Sequence, residues 1–301
     1  MDFVSLRTFC RAVEEGNLSA AAKAVHVTKS VASRRIHMLE DDLGTKLLVR
    51  TTKGVSATDA GALFYERAIN ILADIEDAKQ TVTCASKRLV GNLRITAPRS
   101  FTDLYLSKAM AAFMIEYPDL TLELNLTDER VDIVGGGYDV GLRISTNLED
   151  TSLIAKKLTH LNSMIAANPE YLEKYGTPKT IEDLKNHNFA LYSNIPASRL
   201  WKFMSGDQSA QTRVNGNLTS NSGVMQLEAA KAGLAIVSLP SFFYGDSVKN
   251  GELIQILPDW QLPELTLYAL YPDRRLLPMK VRAFIDFMAG WFAVPENSAH
   301  L

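Results

Sequence analysis

Residues 19–61 read SAAAKAVHVTKSVASRRIHMLEDDLGTKLLVRTTKGVSATDAG. Ser19 is a good N-cap, and Ala20, Ala21 and Ala22 start a short helix. Val25, His26 and Val27 give a tight turn. Thr28 caps a second helix that runs to about Leu43 and stops at Gly44. In that helix Ala32, Ile36, Leu39 and Leu43 recur at spacings of four, three and four, which predicts one buried stripe. Ser30, Ser33, Arg34 and His37 fall on the opposite flank, and Lys29 lies in the exposed first turn.

An apolar back with a small-polar, basic front suits the major groove of double-stranded DNA. Short serines allow close approach, and Arg34 has the reach for a guanine edge or a phosphate. The alanine run before it lets two helices cross closely, as a helix-turn-helix requires. Residues 47–50 and 55–57 then flank Thr51-Thr52-Lys53-Gly54, a hairpin turn with a basic tip that reads as a wing. From Lys23 to Lys53 there are seven Lys or Arg against three acids, Glu40, Asp41 and Asp42. The acids sit at the helix C-terminus, the reverse of what the dipole prefers, which points to an anionic partner. Taken singly, Arg34, Arg35, Arg50 and Lys53 read better as solvated charges. Taken together, Thr28, Lys29, Ser30, Ser33, Arg34, Arg50, Thr52 and Lys53 form the expected DNA-contacting set.

The run Phe9, Val13-Glu14-Glu15-Gly16-Asn17-Leu18-Ser19, Ala21-Ala22, Ser30-Val31-Ala32-Ser33-Arg34-Arg35-Ile36, Leu39-Glu40, Leu43-Gly44, Arg50 and Thr58-Asp59-Ala60-Gly61 resembles the N-terminal signature of LysR-type transcriptional regulators. Two departures stand out. Lys29 lies where that family usually has Gln or Pro, and Leu48-Val49 where Phe is common.

Composition sets wider bounds. The chain has 301 residues, 47% apolar and 22% charged, enough for two or three domains of a globular protein. A net charge of −2 means that any basic surface is local. Cys10 and Cys84 lie on separate predicted helices without metal-ligand spacing, so neither a disulfide framework nor a structural zinc is expected. Each reads as a small apolar helix residue, with redox sensing the alternative. No signal peptide and no transmembrane span are expected, which favours a cytoplasmic location.

Residues 2–15 read as a first helix burying Leu6, Phe9, Cys10 and Val13. Thr58 caps a long helix to about residue 86, with Leu63, Phe64, Ile71, Leu72, Ile75, Ala78 and Val82 near heptad spacing. Such a helix spans roughly 40 Å, and its narrow stripe predicts a helix–helix dimer; packing on the chain's own larger domain is the alternative. In the resembled family this is the linker helix that pairs two subunits. Residues 87–92 read as a hinge.

From residue 93 strands alternate with helices: strand 93–97, helix 103–117, strand 120–126, a short helix near 130–134, strand 140–144, strand 163–167, helices near 169–175 and 181–185, helix 221–232, strands 234–239 and 265–270, and helix 279–292. The order predicts parallel, helix-covered sheets. The resemblance continues through Phe113-Met114-Ile115-Glu116-Tyr117-Pro118-Asp119, Tyr138-Asp139-Val140-Gly141-Leu142-Arg143-Ile144 and Asn168-Pro169-Glu170-Tyr171-Leu172. It then takes in Asp183-Leu184, His187, Ala230-Lys231-Ala232-Gly233-Leu234-Ala235-Ile236 and Pro240. It implies an α plus α/β chain: a winged helix-turn-helix over 1–60, a linker helix and hinge over 58–90, and an effector domain over 91–301. The effector domain would have two lobes like those of periplasmic solute-binding proteins, lobe I at about 91–161 and 267–301 and lobe II at about 162–266. The resemblance also implies homodimers or homotetramers, with RNA polymerase a further candidate partner.

Ligands of parallel α/β sheets sit at the carboxyl ends of strands. That rule selects Arg99-Ser100-Phe101-Thr102, Thr127-Asp128, Ser145-Thr146, Tyr192-Ser193-Asn194 and Asn221-Ser222. Ser100, Phe101, Thr102, Thr127, Ser145, Ser193 and Asn221 are the expected effector contacts. Because Ser100 to Thr102 precede a predicted helix start, a small anionic effector is expected, with simple helix capping the alternative for Ser100 and Thr102. An enzyme is the first rival, but the sequence has no P-loop, dinucleotide turn, nucleophile elbow or paired metal-ligand spacing, and no metal or cofactor is expected. A secreted solute-binding protein is the second; the N-terminal unit and the missing signal peptide argue against it.

Overall fold

The computed structural model describes every residue except Met1, 52–53, 83–88, 149–151, 195–199, 274–276 and 299–300, and it leaves aside the side chains of 50, 51, 70, 73, 74 and 76–82. It contains two compact units, Met1–Asn92 and Leu93–Leu301.

The first unit opens with α1 (Phe3–Glu15), capped by Asp2, whose Oδ1 accepts from the Ser5 N–H at 2.7 Å. Gly16, at φ 59°, ends it in the left-handed region. Helix α2 (Leu18–Ala24) is capped by Asn17, which accepts from Ser19 N and Ala20 N. The N-cap expected at Ser19 thus lies two residues earlier. Asn and Ser are equivalent caps, and the rank of the residue types does not choose between neighbours. His26 takes φ 56° between the helices, one of the few non-glycine types that tolerates it. Helix α3 (Lys29–Leu43) begins at its Thr28 cap and ends at Gly44, as expected. Leu43 is exposed, however, and does not complete the stripe; Ala32, Ile36, Leu39 and Glu40 are the buried residues of this helix.

The wing is a hairpin of β1 (Leu48–Thr51) and β2 (Gly54–Ala57), paired from Leu48↔Ala57 to Thr51↔Gly54. Thr51 and Gly54 belong to the strands, so the turn is shorter than the four residues expected; its tip, 52–53, lies outside the described residues. Helix α4 (Asp59–Val82) follows the Thr58 cap, whose Oγ1 accepts from Gly61 N at 2.9 Å. Leu6, Phe9, Ala12, Ala21, Ala22, Ala32, Ile36, Leu39, Leu47 and Ala68 make one core. Each large side chain in it contributes about 2 kcal/mol by leaving water. Cys10 belongs to this core, and burial, then the Glu14 charge, pushes its thiol up to about 12. Cys84 lies outside the described residues.

In the second unit β3 (Gly91–Ala97) leads into helix from Arg99 onward: a turn at Arg99–Phe101, a π-helical turn at Thr102–Leu106, then α5 (Ser107–Glu116). The helix expected from residue 103 therefore starts four residues earlier. Then come β4 (Leu120–Leu126), β5 (Val140–Ser145), β6 (Leu153–Leu161), β7 (Ser163–Ala167), α6 (Pro169–Tyr175) and β8 (Asn188–Tyr192). Residues 130–134 form no helix; Asp132 instead folds a turn by accepting from Gly135 N at 2.8 Å. The helix expected near 181–185 is a 3-10 turn, Glu182–Asn186. A hairpin, β9 (Leu200–Ser205) and β10 (Gln208–Arg213), precedes β11 (Asn215–Ser220), α7 (Gly223–Lys231, capped by Ser222), β12 (Ile236–Pro240), β13 (Ile254–Gln255), β14 (Leu265–Pro272) and α8 (Met279–Ala293).

Two five-stranded sheets result, ordered β4-β3-β5-β14-β6 and β11-β8-β12-β7-β13. They are mixed rather than parallel. β3–β5, β11–β8 and β8–β12 run parallel, whereas β14 is antiparallel to β5 and β6, and β12 and β13 to β7. The antiparallel members are those next to the passages between sheets, at Asn162 and after Gln255, where no helical crossover returns the chain to its starting edge. Among the described residues no helix is long and apolar enough to cross a membrane.

Candidate functional site

The N-terminal unit exposes one face of α3. Thr28, Lys29, Ser30 and Arg34 are exposed and Ser33 is half-buried, over the buried Ala32, Ile36 and Leu39. Thr28 and Ser30 share a hydroxyl–hydroxyl bond of 3.0 Å. Arg35 points elsewhere: it is half-buried, and its charge is close enough to help hold Asp2 below the usual carboxylate range, behind the larger effect of the Ser5 N–H. Arg50 pairs through its backbone with Val55 in the wing; its side chain, Thr52 and Lys53 are outside what the structure describes.

The acids at the far end of α3 have structural work that sequence reasoning missed. Glu40 is buried, 7% exposed, and its carboxylate accepts from Leu47 N (3.0 Å), Leu48 N (3.1 Å) and Lys46 Nζ (2.7 Å). Burial alone raises its pKa, but the bonds from Lys46, Leu48 and Leu47 outweigh it and lower the pKa below the usual glutamate value. Asp41 pairs with His37 at 3.2 Å. The charge order along α3 therefore follows in part from the clamp on the wing, and not only from an external anion.

Helix α4 divides the expected dimer stripe. Phe64 stacks obliquely on Phe9 at 5.5 Å, and Phe64 and Leu72 pack on the unit's own core. Leu63 and Ile71 are exposed, at 72% and 40%, and Ile75 is half-buried. A period of seven read without three-dimensional context merges these faces.

In the second unit, the strand-end ring gathers only in part. The Asp128 carboxylate lies close enough to the Arg99 N–H and charge and to the Ser100 hydroxyl to feel all three. Asn194 Nδ2 donates to Asp128 O at 3.2 Å and lies 3.5 Å from the Tyr192 hydroxyl. Burial, then Asp103, pushes Asp128 up despite those donors; burial, then Asp128 itself, pushes Tyr192 up to about 12. Thr127 lies next in sequence, its Oγ1 accepting from Glu129 N at 3.2 Å. Ser193 is exposed and pairs its N–H with Ser220 O. Ser145 spends its hydroxyl on Asn147 O (2.6 Å), and Asn221 is exposed one residue before the Ser222 cap.

Phe101 is buried, stacked on Tyr105 at 5.4 Å and edge-on to Phe242 at 4.8 Å, so it packs the two halves of the domain rather than offering a free face. Thr102, 3% exposed, has a hydroxyl without a partner, and neither it nor Ser100 caps the helix. The sequence missed Gln226, whose amide is buried in α7: Nε2 donates to Ser220 O at 3.3 Å while Oε1 finds no donor. An uncharged polar residue within Val224–Leu227, otherwise apolar, was the available signal. The anion site expected at residues 100–102 has the Asp128 carboxylate for a neighbour. An open cavity of about 430 Å³, lined by Glu116, Tyr117, Asp286, Phe287 and Trp291 among others, involves none of the ring residues.

A winged helix-turn-helix joined to a two-sheet domain with polar strand ends defines a DNA-binding regulator that carries its own sensing domain. Comparison with known proteins agrees. Residues 3–62 match the bacterial regulatory helix-turn-helix protein, lysR family, and residues 86–293 match the LysR substrate binding domain. An HTH-type transcriptional regulator of Haemophilus influenzae is 37% identical over 92% of this chain and 96% of its own. The HTH-type transcriptional regulator PtxR of Pseudomonas aeruginosa is 32% identical over 93% and 90%. The full-length Vibrio cholerae virulence activator AphB is 27% identical, with a TM-score of 0.60 over 97% of this chain and 100% of that one. The chain belongs to the LysR family of transcriptional regulators. It is a DNA-binding transcriptional regulator controlled by a small molecule in its C-terminal domain.

Proposed function

We propose that a dimer of this chain reads a partly palindromic operator through Thr28, Lys29, Ser30, Ser33 and Arg34 of α3, with the wing at Arg50, Thr52 and Lys53 on the flanking phosphates. The observation that carries the reading is the exposed polar, basic front of α3 held over a closed apolar core. The functional divisions follow the ranges 1–60, 58–90 and 91–301, with lobe I at 91–161 and 267–301 and lobe II at 162–266. The effector lies between the lobes, and its differential affinity for two lobe arrangements alters promoter occupancy. The protein acts in the cytoplasm as a regulator without catalytic activity, assembles as dimers that pair into tetramers, and offers RNA polymerase a surface when bound at the promoter.

The exposed Leu63 and Ile71 support the seam of the dimer. Leu63→Glu with Ile71→Glu should halve the mass measured by light scattering of a dimer and weaken the gel shift of promoter fragments at least ten-fold. An unchanged mass would remove the seam from α4. Leu72, which packs on the unit's own core, is the wrong probe, because charge there would unfold the unit.

A further inference from the structure

We propose that the effector of this chain is a hydrogen-bond-donating amine or amide, gripped by Asp128 and Gln226, and not a carboxylate. The proposal rests on the reading that the effector lies between the lobes, and it names the chemistry that the cleft selects.

Three observations lead to it. First, the start of the Arg99 helix already has a carboxylate beside it. The Arg99 N–H and charge and the Ser100 hydroxyl all lie near the Asp128 carboxylate. A second carboxylate at this spot would face Asp128, with Asp103 nearby, and like charges repel in a half-buried site. Second, Gln226 leaves an acceptor open. The Ser220 carbonyl can only accept, so the atom facing it at 3.3 Å is the amide nitrogen, and the atom left over is Oε1. That oxygen is buried without a donor, in a residue 1% exposed. A buried acceptor without a partner costs about 1–3 kcal/mol, and a ligand N–H relieves it.

Third, the two acceptors belong to one neighbourhood. Ser220 O also receives the Ser193 N–H, and Ser220 pairs with Tyr192 in the sheet. Asn194, next along, bonds the Asp128 carbonyl and approaches the Tyr192 hydroxyl. The strand ends of β8 and β11 thus connect Gln226, through Ser220, Ser193 and Asn194, to Asp128 of the opposite sheet. The buried Thr102 hydroxyl, also without a partner, adds a group able to accept from the same kind of ligand.

The test compares three four-carbon probes of one length on the full chain: succinate, succinamide and 1,4-diaminobutane. A ligand bound by the folded state alone raises the melting midpoint. Succinamide or 1,4-diaminobutane should raise it by several degrees at millimolar concentration, and succinate should not. Asp128→Asn should raise the half-saturating concentration of the diamine at least ten-fold, and Gln226→Leu should do the same for the amide. Both variants should leave the gel shift and the melting midpoint of the unliganded protein unchanged, the midpoint being the check that the lobes fold. Stabilisation by succinate alone, or unchanged probe response in both variants, overturns the donor class and leaves an effector between the lobes standing. Silence from all three probes also overturns the donor class. If, in addition, a promoter reporter ignores every cleft variant, the inter-lobe effector falls with it.

Discussion

The recognition helix and the effector cleft arrange their functional groups by opposite routes. In the N-terminal unit the front of α3, the clamp at Glu40 and the wing strand at Leu48 fall within about twenty consecutive positions, fixed by bonds of short sequence range. In the lobes Ser100, Asp128, Asn194 and Gln226 come from four separate segments, and contacts such as Asn194 to Asp128 span 66 positions. A site built from neighbours keeps its geometry when the rest of the chain moves. A site built across two sheets changes when the sheets shift, which is the property a sensor requires.

Two glycines give the largest expected break in this comparison. A Cβ on Gly61 would lie 1.9 Å from Leu47 O, and one on Gly216 1.7 Å from Phe189 O, both backbone atoms that cannot move alone. Gly61→Ala should destabilise the first unit by about 3 kcal/mol and remove DNA binding while ligand response persists. Gly216→Ala, at the register shift between β11 and β8, should do the reverse. Unfolding curves of the full chain alongside gel shifts would check both; loss of both functions in either variant would mean that the regions are not separable.

Next in size is Glu40→Ala. It strands the N–H groups of Leu47 and Leu48, at a cost of about 2–3 kcal/mol. Because the folded pKa of Glu40 is lowered, its stabilisation is present above the unfolded value of about 4.3 and is lost as pH falls through the folded value. Melting at pH 7 should show the full gap between wild type and variant, and melting below pH 4 a narrowing one. A gap independent of pH would count against a charged clamp. Arg34→Ala should then cost about 1.5 kcal/mol in operator affinity and relax preference at one base if it reads a base edge; a uniform loss with a smaller salt slope would place it on phosphate. The smallest effect concerns Cys10. With its thiol pushed up to about 12, roughly one molecule in ten thousand is thiolate at pH 8, so iodoacetamide should label it only on unfolding.

The same contrast governs what could be read from the sequence. The helix-turn-helix was legible because the Thr28 cap, the Gly44 stop and the alanine crossing are local signals that survived folding. The cap of α2 slipped from Ser19 to Asn17, as happens where neighbouring residues cap equally well. Strand β10 escaped because QSAQTR lacks an apolar alternation. The mixed sheets escaped because the direction of β14 depends on where the chain re-enters, not on its own residues. In the cleft, the strand-end rule found the neighbourhood of Ser100, Asp128 and Asn194. It could not reveal that the Asp128 carboxylate lies near Arg99 and Ser100, since that needs the two segments brought together.

The Glu40 clamp also bears on how tightly this regulator holds its operator. Leu47 and Leu48 are fixed from within the protein, by bonds formed before any DNA arrives. The root of the wing therefore loses little freedom on docking, and less of the contact energy offsets ordering. Affinity here depends on stiffness prepared beforehand, so an isosteric Glu40→Gln should raise the dissociation rate of the operator complex even though residue 40 is buried within the protein.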